Sequence, residues 1–128
     1  MCGIAGFCSR EKDYSICRGE WEKILKDMNQ AQKRRGPDGE GLFLSPHCGM
    51  AHVRLAVQDL KKGSQPMSRS TQGRTCTLCL DGEIYNRREL RKDLEKAGES
   101  FRTDSDAELF LVGYMLYGEE FVKRINGV

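Results

Sequence analysis

The 128-residue sequence predicts an α+β fold, a sheet packed with helices, in one domain over residues 1–128. Three observations predict it. Strand-like segments come first and helical segments follow, interleaved with one more strand. The helical stretches carry apolar residues at 3.6-residue spacing on one face. With 38% hydrophobic and 31% charged residues, the chain has ordinary globular composition and can bury a core without disulfides.

Cys2–Cys8 reads as a strand whose Gly3 and Gly6 permit close backbone approach. Residues 20–32 place Trp21, Ile24, Leu25 and Met28 at helical spacing, and Arg34-Arg35-Gly36-Pro37-Asp38-Gly39 ends that helix in a turn. Two strands follow at 41–44 and 49–57, with Ser45-Pro46-His47 between them. Residues 61–73 are polar with Gly, Ser and Pro and read as a loop; 74–80 reads as a strand meeting Asp81-Gly82, a hairpin-turn pair on its own terms.

Asn86 is the expected cap of a helix over 87–97, with Glu89 reaching back and Gly98 stopping it. Asp104 or Ser105 caps another helix bearing Leu109, Phe110, Val112 and Leu116, and Gly118 ends it before a short helical remainder at 119–125. Asn126-Gly127 is a turn signal just before Val128, which predicts a domain cut short at its C-terminal end.

Charge and cysteine usage exclude several classes. The net charge of +2 comes from 21 basic and 19 acidic residues spread along the chain, with no basic stripe for nucleic acid. The apolar opening is too short for a signal peptide or membrane span, which predicts a cytoplasmic protein with no membrane partner. Six scattered cysteines (2, 8, 17, 48, 76 and 79) then stay reduced. Cys76 and Cys79 have CxxC spacing, but His47, Cys48 and His52 supply no second ligand pair, so no metal is expected.

Cys2 follows Met1 directly. Methionine aminopeptidase trims Met before a small residue, which would leave a thiol and an α-amine on Cys2. Both titrate near neutrality, so the amine can act as general base for the thiol, and the thiolate is the nucleophile. The plain alternative is a small apolar residue opening a buried strand.

Four segments read together sharpen the choice: MCGIAGF, RRGPDGEG, HVRLAVQDL with QPM, and DGEIYN followed by TDSDAE. In this order the chain resembles the N-terminal glutaminase domain of glutamine-dependent asparagine synthetases, within the class II glutamine amidotransferases and the N-terminal nucleophile hydrolases. The fold implied is a four-layer αββα sandwich, C-terminally truncated here. The substrate implied is L-glutamine, whose side-chain amide would be hydrolysed through a Cys2 thioester to release ammonia for asparagine synthesis.

Arg54 matches the arginine that holds the substrate α-carboxylate, a task suited to its planar fork; alone it reads as a solvated strand residue. Glu83 and Asp106 match the acids that receive the substrate ammonium, and Val57 and Gln58 fall where backbone contacts are made. Taken by themselves, Glu83 is a surface acid before a helix and Asp106 a first-turn acid favoured by the helix dipole.

One departure concerns the oxyanion hole. The resemblance implies Asn-Gly at positions 81 and 82, donating from the Asn amide and the Gly N–H, but this chain has Asp81-Gly82. An ionised Asp only accepts hydrogen bonds, and a protonated one could donate. Arg34 also stands where His is usual, in a turn read as shaping the site without chemistry of its own. No cofactor is expected in this domain, and no phosphate loop is visible. ATP and magnesium are implied only for a synthetase domain outside these residues, and a homodimer only for the full-length protein. The alternatives are a catalytically impaired glutamine-binding or interaction domain, and another class II amidotransferase serving amino-sugar or purine synthesis.

Overall fold

The computed structural model describes residues 2–56 and 63–128 and divides them into two compact units. Among these residues the chain is mixed α and β, with two antiparallel sheets and four α-helices.

The first unit comprises residues 2–56, 64–66 and 79–81. Its three-stranded sheet runs in the order β1 (Gly3–Cys8), β3 (Cys48–Arg54), β2 (Gly39–Leu44), all antiparallel. Side chains alternate across a strand, so Gly3, Ala5 and Phe7 share a face with Gly49, Ala51 and Val53. Helix α1 (Arg18–Gln32) packs on that face: a Cβ on Gly49 would meet both the Phe7 ring and Leu25. Phe7, Tyr14 and Trp21 cluster with centroids 4.6–5.3 Å apart, Tyr14 edge-to-face with each of the other two rings. Buried Asn29 of α1 donates to the Gly41 carbonyl at 3.2 Å, tying the helix to β2. The helix begins two residues before the expected start, at Arg18.

The second unit contains residues 63, 67–78 and 82–128. A polar hairpin, β4 (Met67–Thr71) with β5 (Arg74–Leu78), turns at Gln72-Gly73, both at positive φ. Part of the expected 61–73 loop is therefore a strand. Hydroxyl pairs replace apolar packing across it, Ser68–Thr77 at 2.8 Å and Ser70–Thr75 at 2.7 Å, and that polarity hid the strand from a hydrophobicity pattern.

Helices α2 (Arg87–Lys96), α3 (Asp106–Tyr117) and α4 (Glu119–Val122) enclose a core of Ile84, Leu90, Leu94, Leu109, Val112 and Phe121. Ser105 caps α3 as expected, accepting from the Glu108 N–H at 3.2 Å. Asn86 is the N-cap of α2 as expected, but its side chain makes no capping bond; its amide donates to the Arg124 carbonyl and its oxygen accepts from the Asn126 N–H, both at 2.9 Å. Asp81-Gly82 is likewise not the hairpin turn. The backbone after it pairs with the chain around Gly127, through Glu83–Val128 bonds in both directions (2.8 and 3.0 Å) and an Ile84–Gly127 bridge.

Candidate functional site

In the first unit, Gly3 pairs with Val53, so that Cys2 and Arg54 flank the end of the β1–β3 pairing. The Cys2 thiol is 3.8 Å from the Leu55 carbonyl. The Cys2 nitrogen donates to Asp81 Oδ1 at 2.8 Å, across 79 residues of sequence. Arg35 completes the cluster: its Nε donates to the Cys2 carbonyl at 3.1 Å, and its Nη2 lies 3.5 Å from Asp81 Oδ2. Asp81 thus faces a donor and a cation, and in this arrangement it accepts rather than donates.

The Arg35-Gly36-Pro37-Asp38 turn holds the end of β3. Pro37 bridges Arg54, the Asp38 N–H donates to the Arg54 carbonyl at 3.0 Å, and Asp38 Oδ2 accepts the Ala56 N–H at 2.9 Å. A Cβ on Gly36 would come within 2.5 Å of the Arg54 nitrogen, so only glycine lets the turn sit this close. The expectation that this turn shapes the site fits these contacts. Its Arg35 contributes more than shape, and no spacing or pattern in the sequence signalled that.

His52 sits on the same face of the sheet, fully buried, and neither ring nitrogen reaches full hydrogen-bond geometry, although the Leu80 backbone is close enough to act on it. Burial holds its imidazole below the ordinary value; the nearby Asp81 carboxylate offsets part of that effect. His47, by contrast, is exposed, with Nδ1 2.9 Å from the Lys12 carbonyl.

In the second unit, Asp106 opens α3 and is only 8% exposed. Its Oδ2 accepts the Ile84 N–H at 2.9 Å; its buried Oδ1 makes no hydrogen bond and lies 3.6 Å from Arg87 Nε. Glu83 is exposed, one residue before the strand-like bridge at Ile84. A Cβ on Gly82 would collide with the Val128 carbonyl, which explains glycine there. Glu108, not singled out by sequence, is a buried carboxylate satisfied by the Arg102 and Thr103 N–H groups and the Thr103 hydroxyl, so it orders the loop before α3.

Cys2, Arg54 and Asp81 of the expected site residues fall in the first unit, and Gly82, Glu83 and Asp106 in the second. Val57 and Gln58 lie outside the described residues. Among the described residues no cluster of three His, Cys, Asp or Glu side chains could hold a metal ion, and no helix is long and apolar enough to cross a membrane.

Comparison with known proteins gives a consistent answer. The family model of the glutamine amidotransferase domain matches residues 1–128. The chain is 38% identical over 128 residues to a Bacillus subtilis protein named asparagine synthetase [glutamine-hydrolyzing] 1, covering all of this chain and 20% of that protein. Similar relatives are asparagine synthetase [glutamine-hydrolyzing] of Sandersonia aurantiaca (37%, all of this chain, 23% of the relative) and a probable one of Dictyostelium discoideum (34%, 99% of this chain, 22% of the relative). The chain spans about a fifth of the length of these curated relatives.

Proposed function

The chain belongs to the glutamine amidotransferase domain family, and on that premise we propose that it hydrolyses the side-chain amide of L-glutamine with Cys2 as nucleophile. The observation that carries this reading is the convergence on Cys2 of Asp81, Arg35 and the Leu55 carbonyl beside the strand end that bears Arg54.

The Cys2 thiolate adds to the amide carbonyl, and the tetrahedral oxyanion collapses to a thioester. The amide nitrogen takes up a proton and leaves as ammonia, and water then cleaves the thioester to glutamate and free thiol. With Met1 removed, the Cys2 amine takes the thiol proton and passes it to the leaving nitrogen. Arg54 holds the α-carboxylate bidentately. Glu83 and Asp106 receive the ammonium; the buried Oδ1 of Asp106 has the Arg87 guanidinium 3.6 Å away but no hydrogen bond, and so can still accept a donor. Val57 and Gln58 add backbone contacts.

The Gly82 N–H is the oxyanion donor in this scheme. Asp81, engaged as an acceptor, contributes little there, so turnover is slow. The same observation favours a second reading, a domain that binds glutamine without efficient hydrolysis.

The released ammonia serves asparagine formation in a larger synthetase, as the names of the relatives suggest. ATP and magnesium belong to that synthetase chemistry, and no step here runs through a metal. We assign the four-layer αββα architecture on the same footing; α1 covering one face of the β1–β3–β2 sheet supports it.

Intact mass before and after an electrophilic glutamine analogue tests the proposal. Loss of Met1 and a single adduct on Cys2, blocked by glutamine, is expected. Glutamine binding without an adduct would leave the binding-domain reading in its place.

A further inference from the structure

A pair of free cysteines outside this chemistry stands directly cross-strand. Cys8 and Cys48 are opposite each other in the β1–β3 register. The Ser9 N–H donates to the His47 carbonyl at 3.1 Å, so the neighbouring pair is a hydrogen-bonded one; the Ser45 N–H donates to the Cys48 carbonyl at 2.8 Å, so the backbone of Cys48 is turned toward β2. Cys8 and Cys48 therefore occupy a non-hydrogen-bonded position. There the Cα atoms approach to about 4.5 Å and the two side chains rise from one face. A disulfide needs a Cα separation of about 4.4–6.8 Å, which this position supplies without moving the backbone.

The surroundings distinguish the two thiols. Cys8 is exposed on an edge strand, whereas Cys48 is half-buried. Burial, and then the facing Cys8, push the Cys48 thiol up. Cys79 is a further thiol on which Cys48 acts electrostatically, but burial, ahead of that effect, pushes Cys79 up to about 11, so it is almost never the attacking thiolate near neutral pH.

We propose that Cys8 and Cys48 form a cross-strand dithiol site for a low-molecular-weight disulfide of the glutathione class. The exposed Cys8 thiolate attacks one sulfur of the small disulfide, forming a mixed disulfide and expelling one thiolate. Cys48, losing its proton to solvent, attacks the Cys8 sulfur and expels the second. The two protein thiols are oxidised to one disulfide, and the small disulfide is reduced to two thiols. The bond ties β1 to β3 at the end remote from Cys2, since six residues of strand span about 20 Å. The site is therefore chemically separate from the amide-hydrolysing nucleophile.

Incubation of the native chain with glutathione disulfide, followed by peptide mapping without reduction, tests it. The expected product is a Cys8–Cys48 cross-linked peptide in a chain lighter by two hydrogens, with the mixed disulfide on Cys8 as a transient. In Cys48→Ser that mixed disulfide should persist, and in Cys8→Ser attachment at Cys48 should slow by at least about tenfold, reflecting its burial. Cross-linking of Cys48 to Cys79, a stable glutathione adduct on Cys8 of the native chain, or a Cys8–Cys48 bond formed only in denaturant would each overturn the proposal. The mapping of the native chain stands whether or not either variant folds.

Discussion

The carboxylate of Asp81 accepts the Cys2 nitrogen at 2.8 Å while Arg35 approaches its other oxygen. The side chain beside the candidate nucleophile thus holds the Cys2 backbone as an acceptor. Asp81→Asn should restore an amide donor at this position. Losing one oxyanion donor costs about 10²–10³ in rate, so glutamine hydrolysis should rise by up to that factor. Steady-state ammonia release checks it; an unchanged or lower rate would show that Asp81 serves Cys2 better as an acceptor.

Arg35→Ala removes one bond to the Cys2 carbonyl and one half-exposed ion pair. Such a pair contributes about 1 kcal/mol or less to stability. Melting temperature should therefore change little, while the rate of Cys2 alkylation by a glutamine analogue falls as the cluster loosens. A large drop in melting temperature with unchanged alkylation would reverse the assignment.

Asp106→Asn keeps the size of the side chain and an acceptor for the Ile84 N–H but removes the charge proposed to meet the substrate ammonium. A KM for glutamine raised by about tenfold or more, with kcat less affected, is expected. A kcat effect alone would point instead to a structural role at the start of α3.

Stability should depend on pH through His52. Burial depresses its folded-state value, so the unfolded chain takes up the proton first as pH falls. The His52 contribution is complete above the ordinary value near 6.5 and is lost as pH drops below it toward the folded value. Denaturant melts from pH 7.5 to 5.5 should show a decline for the native chain that is shallower in His52→Gln. Parallel declines in the two proteins would show that carboxylates alone set the trend.

Much of this was legible in the sequence, for identifiable reasons. Apolar spacing at Trp21, Leu25 and Met28 located α1 to within two residues, and Gly98 and Gly118 sit at positive φ where the helices were expected to stop. β4 escaped because its cross-strand contacts are hydroxyls, and a hydrophobic pattern does not register those. Asn86 takes the N-cap position as expected, but its side chain makes no capping bond because the Arg124 carbonyl and Asn126 N–H, remote in sequence, engage its amide. The role of Arg35 was invisible for a similar reason: its partners, Cys2 and Asp81, lie 33 and 46 positions away. The resemblance named Cys2, Arg54 and Asp81 together, but that Asp81 would grip the Cys2 nitrogen depended on three-dimensional placement.

The alternation along β1 imposes a parity rule on this part of the chain. Cys8, Gly6 and Ile4 share one face, and Cys2 continues that series, while Gly3, Ala5 and Phe7 turn toward α1. Inserting or deleting a single residue between Cys2 and Cys8 while keeping the β3 pairing would carry the thiol to the helix side, where the neighbours of Gly3 are Gln32 and Val53. A change of two residues would return it to the face it now occupies. Odd changes in the length of this strand therefore flip the thiol to the opposite face, and even ones do not.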